Sequence, residues 1–215
     1  MVRRECPGQA GHELSGQAGE PGGRRHGPGA RAALAVLAVL APFAVGAGLY
    51  VFGREHTPDY TSGLYGQHGI DAIDLKARLG SALFCLVLLQ YGIALWMTGR
   101  IPRVPAAPAR VRTGHRVLGY LLFLFSLPIA YHCLVTYGIE TTSARAALHS
   151  FAGCVFYGAF VAKVIVVRSR RLPGVLLPAV GSLLLVTAAL LWYTAPLWVL
   201  GGYTVPGFSS VFPPG

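Results

Sequence analysis

Five apolar runs, each close to twenty residues long and separated by polar stretches, constrain this chain more than anything else in it: 32–52, 79–97, 117–137, 148–167 and 175–195. At 1.5 Å of rise per residue, a helix of that length crosses a hydrocarbon core of about 30 Å. The fold class that follows is all-α, a polytopic membrane bundle of about five transmembrane helices. Composition closes off the alternative of a water-soluble domain: the chain is 53% hydrophobic and 12% charged, with mean hydropathy +0.54, and soluble domains carry about twice that charged fraction.

A net charge of +10 in a soluble protein would point to nucleic acid. Here the charges sit between the apolar blocks, so they report topology and no nucleic-acid partner is expected. Thirteen of the 18 Lys and Arg fall in three segments: the N-terminal stretch (Arg3, Arg4, Arg24, Arg25, Arg31), the Pro-rich connector after the second run (Arg100, Arg103, Arg110, Arg112, Arg116), and the RSRR segment (Arg168, Arg170, Arg171). All acids beyond the N-terminal stretch fall in the two intervening loops, as Glu55, Asp59, Asp71, Asp74 and Glu140. By the positive-inside rule the N-terminus lies in the cytoplasm and the C-terminus outside, in a multi-pass cell-membrane protein. The aromatic exit of the fifth run, with Trp192, Tyr193, Trp198 and Tyr203, fits a membrane–water interface.

Three segments follow. Residues 1–31, rich in Gly, Pro, Gln and Arg, lack the apolar surface that offsets the entropy of ordering and read as a disordered cytoplasmic tail. Residues 32–197 form the five-helix domain, and 198–215 an external C-terminal tail. No A-x-A-like motif follows the first run, so no removable signal is expected. Pro128 lies inside the third run, where it is expected to kink the helix. No internal repeat stands out, which gives no support to an inverted-repeat transporter.

Ionisable groups at membrane depth are costly and are functional candidates by default. Four need an account: His115, His132, His149 and Lys163. His132 and His149 lie near the same end of adjacent spans with a short loop between them. Two neutral imidazoles at one depth can ligate a haem iron axially, with Gly153 and Gly158 allowing close approach of a flat macrocycle. Two other readings stay open: interfacial histidines bonded to loop carbonyls and headgroups, or a copper site drawing on Cys133 and Cys154 as well. The four cysteines, Cys6, Cys85, Cys133 and Cys154, form no C-x-x-C pair and no zinc-type spacing.

His115 precedes His132 by 17 residues, about 25 Å along a helix, and cannot share its iron. Beside Arg112 and Arg116 it is expected at the interface, against a haem propionate or a lipid phosphate. Lys163 either snorkels toward the arginines that follow it or offers a counter-charge to a quinol, a carboxylate or a propionate. Gln90 is expected to make an interhelical hydrogen bond. His56 and His68, with Asp59, Asp71 and Asp74, form a candidate surface metal site or a solvated loop.

The stretches GHRVLGYLLFLFSLPIAYHCL and RAALHSFAGCVFYGAFVAKVIVVRSRRLPG resemble a family of small, functionally uncharacterised bacterial membrane proteins. More distantly, the HR-x-LGY opening and the histidines at one end resemble the transmembrane part of b-type cytochromes and ferric-reductase-like electron carriers. That likeness implies haem b held by a histidine pair and electron transfer in the membrane. Di-haem members carry two such pairs, whereas this chain completes one, so the resemblance implies a single haem b between a quinol and a periplasmic redox protein. The alternative is a non-redox membrane protein without cofactor, such as a small transporter or an assembly factor.

Overall fold

A computed structural model describes residues 28–169 and 172–208, with side chains from residue 32 onward. The tail expected over 1–31 lies outside this range up to residue 27, as do Arg170, Arg171 and residues 209–215. The described residues form α1 (Pro28–Glu55), α2 (Gly69–Met97), α3 (Ala109–Tyr137), α4 (Ala144–Arg168), α5 (Leu176–Thr194) and a short α6 (Pro196–Leu200). Five of the helical stretches, α6 counted with α5, are long and apolar enough to cross a membrane. This is a multi-pass membrane protein, in contact with a lipid bilayer.

Four helices, α1 to α4, start earlier than their apolar runs. α2 begins at Gly69, ten residues ahead of the apolar run at 79, because its first turns carry Asp71 in a position that favours the helix dipole and an Asp74–Arg78 ion pair of 2.8 Å at i, i+4 spacing. α3 begins directly after Pro108, whose fixed φ of −65° suits the residue preceding a helix. Ser143 caps α4, its hydroxyl accepting the Ala146 amide at 3.2 Å. The helix of α3 runs on through Pro128. The fifth run breaks at Ala195 (φ −130°, ψ −70°), because Pro196 disfavours helical backbone in the residue before it.

α2, α3, α4 and α5 stand in a ring, in which α2 packs on α3 and on α5 with α6, and α4 packs on α5. Between α3 and α4 the backbones stay apart, and side chains close the gap: Phe123 stacks on Phe160 at 4.0 Å between centroids, and Tyr157 donates to the Ser126 carbonyl at 3.2 Å. α1 lies beside the ring, touching α3 and packed closely along α4. Backbone touches backbone there: a Cβ on Gly158 would sit 2.7 Å from the Pro42 carbonyl oxygen, and one on Gly46 3.1 Å from that of Cys154. Small residues at a helix contact are how membrane helices gain van der Waals packing without a hydrophobic drive.

The two ends of the ring differ in charge. One end, the loop end, carries charges of both signs, Glu55, Asp59, Asp71, Asp74 and Glu140 with Arg54, Lys76, Arg78 and Arg145; the other, the arginine end, carries Arg100, Arg103, Arg110, Arg112, Arg116 and Arg168 and no acid among the described residues.

Candidate functional site

The ring encloses a cavity of about 550 Å³. Along α2 its wall runs from Ile73 to Ala94, which at 1.5 Å per residue is about 32 Å. Most of the lining is apolar, from residues such as Leu83, Phe84, Val87, Leu122, Leu184 and Leu191, and the charged side chains and histidines gather at the two ends. An apolar cavity with a few convergent polar groups is the usual form of a small-molecule site.

At the loop end the cavity meets Lys76, Arg145 and His149. Arg145, in the first turn of α4, donates from Nη1 to the Thr194 carbonyl at 2.6 Å, a group at the end of α5 where the Pro196 break ends the helix, and its guanidinium lies 3.7 Å from the Trp198 ring centroid. A cation at a helix C-terminus complements the dipole. Lys76 Nζ sits 4.4 Å from the Tyr137 ring centroid. Neither cation has a carboxylate partner: among the described residues the one ion pair is Asp74–Arg78. Glu140, on the same wall, turns its carboxylate to the amides of Thr141 and Thr142 at 2.9 and 2.8 Å, which hold it below the usual carboxylate range, the Thr142 bond most strongly.

The tautomer of His149 follows from its surroundings. Thr194 is fully buried, and its hydroxyl donates to the Leu190 carbonyl at 2.6 Å. That oxygen can therefore only accept from His149 Nδ1, 3.0 Å away, so Nδ1 carries the proton. Nε2 then keeps its lone pair, and the Leu191 carbonyl is a further acceptor beside the ring. A ring nitrogen fixed by its neighbour in this way is how proteins orient a ligating or proton-accepting histidine.

His132 is placed differently. It is 3% exposed and does not line the cavity. Its Nε2 donates to the Ser62 carbonyl at 3.1 Å, and Nδ1 accepts from Lys76 Nζ at 3.3 Å, with Thr136 Oγ1 at 3.4 Å. The two histidines share an end of the bundle but do not face each other across the cavity. Among the described residues no three His, Cys, Asp or Glu gather closely enough to hold a metal ion, so neither the set of His132, Cys133, His149 and Cys154 nor the loop set assembles. His56 instead clasps α3 through Nε2 and the Val135 carbonyl at 3.1 Å.

At the arginine end the cavity meets Gln90, His115 and Lys163. Gln90 makes the expected interhelical bond, Nε2 donating to the His115 carbonyl at 2.8 Å. Lys163 forms no hydrogen bond or ion pair with a described residue, and it acts electrostatically on His115.

Sequence reasoning missed Lys76, Arg145 and Thr194 as site residues. The first two fell in segments read as loops. The signals were present: Asp74 and Arg78 at helical spacing extend α2 back past Lys76, and the Ser143 cap starts α4 ahead of Arg145.

Comparison with known proteins gives a family without a function. The model of a family of unknown function, DUF6529, matches residues 34–207, so the chain belongs to that family. No curated protein matches it. No solved structure matches it either.

Proposed function

We propose that this member of a family of unknown function is a cell-membrane protein that binds an amphiphilic anion within the bundle, the apolar body in the cavity and the acidic groups at Lys76 and Arg145. Haem b, in the service of electron transfer, is the compound of this kind that also uses His149. The observation that carries the reading is the state of His149: proton on Nδ1, held by Thr194, and a free Nε2 lone pair beside a largely apolar cavity with two cations unmatched by any carboxylate. A bound haem would supply one-electron chemistry. The protein's own part is to fix the imidazole through Thr194, to neutralise propionates with Lys76 and Arg145, and to exclude water with the aromatic and aliphatic wall.

The HR-x-LGY opening and the histidines at one end support this reading, and the arginine pattern supports an orientation with the His149 end outside. A periplasmic redox protein and a membrane quinol are then the partners. In the bis-histidine form of the site, Nδ1 of His132 would have to release Lys76 while Nε2–H keeps the Ser62 carbonyl; with the Lys76 bond kept, His149 alone would hold the iron. The chain would be expressed with ample haem, purified in mild detergent and examined by a reduced-minus-oxidised difference spectrum. A b-type Soret and α-band is expected, lost in His149→Ala and kept in His132→Ala. Loss in both variants would make the site bis-histidine, and no band in the parent chain would remove haem.

A cofactor-free transporter or assembly factor is the second reading, favoured by the same unpaired cations, which suit an anionic lipid equally. Mass spectrometry of the purified protein would then find a lipid anion that is lost in Lys76→Met and Arg145→Met, with no visible absorption band.

A further inference from the structure

The arginine end of the cavity holds hydrogen-bonding capacity that the protein does not use. Gln90 is 8% exposed, and its Oε1 has no partner. The amide orientation is fixed chemically, because Nε2 donates to the His115 carbonyl and the flipped amide would set two acceptors against each other. Oε1 is thus an acceptor held away from water. Nδ1 of His115 is a second buried polar atom with no partner. Lys163 adds a cation on the same wall with no acceptor. Buried polar groups are nearly always satisfied, so two unmet ones beside an uncommitted cation on one cavity wall mark a place where something else supplies the partners.

The local backbone is arranged around Gln90. A Cβ on Gly119 would lie 3.0 Å from Gln90 Nε2, so the bare face of α3 makes room for the amide to lie between the helices. Tyr91, Phe123 and Phe160 line the cavity at the same end, and the apolar wall continues from there toward the loop end.

The donor and acceptor set selects the ligand. A carboxylate or phosphate would be drawn by Lys163 but repelled by the lone pairs of Gln90 Oε1. A neutral head that both donates and accepts satisfies all three groups. We infer that Gln90, His115 and Lys163 form a subsite for a lipid-soluble hydroquinone or its quinone. One ring hydroxyl donates to Gln90 Oε1, a ring oxygen accepts from Lys163 Nζ, and His115 Nδ1 meets the remaining polar edge. Aromatic side chains border the ring, and the apolar tail extends along the cavity. The inference rests on the cavity and not on haem at its other end.

The test uses the full chain in mild detergent and three probes, a decyl-substituted 1,4-hydroquinone kept reduced, decylbenzene, and oleic acid, titrated by calorimetry. The hydroquinone is expected to bind at least tenfold more tightly than decylbenzene, and Gln90→Leu and Lys163→Met are each expected to weaken it by about tenfold or more while leaving decylbenzene unchanged. Lys163→Met removes no hydrogen bond of the protein, so it keeps the test decisive if Gln90→Leu fails to fold. Equal affinity for hydroquinone and decylbenzene, or hydroquinone binding untouched by Lys163→Met, overturns the inference. So does oleate that outcompetes the hydroquinone and is itself weakened by Lys163→Met, which would assign the subsite to an acidic lipid. Neither variant touches Lys76, Arg145 or His149, so the difference spectrum reads the other proposal separately.

Discussion

At the loop end, polar groups around the cavity are tied to the protein: His132 to Ser62 and Lys76, His149 to Thr194, Arg145 to the Thr194 carbonyl, Glu140 to its neighbouring amides. The backbone there is clasped as well, with the Asp59 amide on the Val135 carbonyl and the Ile139 amide on that of Gly53, both at 2.9 Å. At the arginine end the comparable ties near the cavity reduce to the Gln90–His115 bond, and two buried polar atoms have no partner. A site whose groups are oriented in advance holds a ligand in one geometry. A site with unmet groups depends on the ligand for part of its own stability. One cavity thus joins a preorganised end to an end completed by its occupant.

Gly138 gives the strongest way to break that contrast. Its backbone, at φ +64° and ψ −147°, is open essentially to glycine alone, and a Cβ would lie 2.6 Å from the Gly53 carbonyl oxygen. Gly138→Val should cost roughly 3 kcal/mol, read as a fall in the thermal unfolding temperature in detergent. Gly114→Ala, in α3 at the arginine end, meets nothing within 4 Å and should be neutral or stabilise by about 0.5 kcal/mol. Equal losses from the two would mean that the clasped end is no more constrained than the other.

The histidines sharpen the same contrast. Removing His132 strands the Ser62 carbonyl and the Lys76 ammonium, so His132→Ala should cost about 1–3 kcal/mol. No side-chain hydrogen bond is lost in His115→Ala, which should destabilise the ligand-free protein less. Chemical unfolding of the two variants in the same detergent checks the order, and a larger loss from His115→Ala would reverse the assignment of the two ends.

Among the described residues the carboxylates that acid would protonate all lie at the loop end. Glu140 is held below the usual carboxylate range by the Thr142 and Thr141 amides, and Asp59 by the hydroxyl and amide of Thr61. Since both folded values lie below the unfolded ones near 4.3 and 3.9, this contribution is present above them and lost as pH falls through the folded values. Hydrogen exchange compared at pH 5 and pH 3 should show loss of protection around 57–62 and 139–142, with little change over 98–108, where the chain has no acid. Uniform loosening of both ends would count against it.

The fold was legible because lipid leaves few choices: a long apolar run must satisfy its backbone internally, and a helix is the local way to do so. Helix starts were less legible, since polar first turns such as Asp71–Lys76 and Ala109–Arg116 resemble loop sequence until their i, i+4 pairing or a preceding proline is taken into account. The site was half legible. Depth along a helix can be counted from sequence, so His132 and His149 fall at one end as expected. The direction each side chain faces depends on which helices become neighbours. The α1–α2 loop carries Ser62 to His132, and α5 carries Thr194 to His149, contacts 70 and 45 residues apart that no local pattern announces.

The place of α1 beside the ring bears on traffic as well as on architecture. α3 and α4 meet through side chains, and α1, packed on α4, contributes Leu49 to the cavity wall. A compound that prefers oil to water arrives from within the bilayer, so its shortest passage is sideways through that wall. The glycine contacts of α1 with α4 border that side, so bulk added at Gly46 or Gly158 would meet the Cys154 or Pro42 carbonyl and press α1 away from the wall.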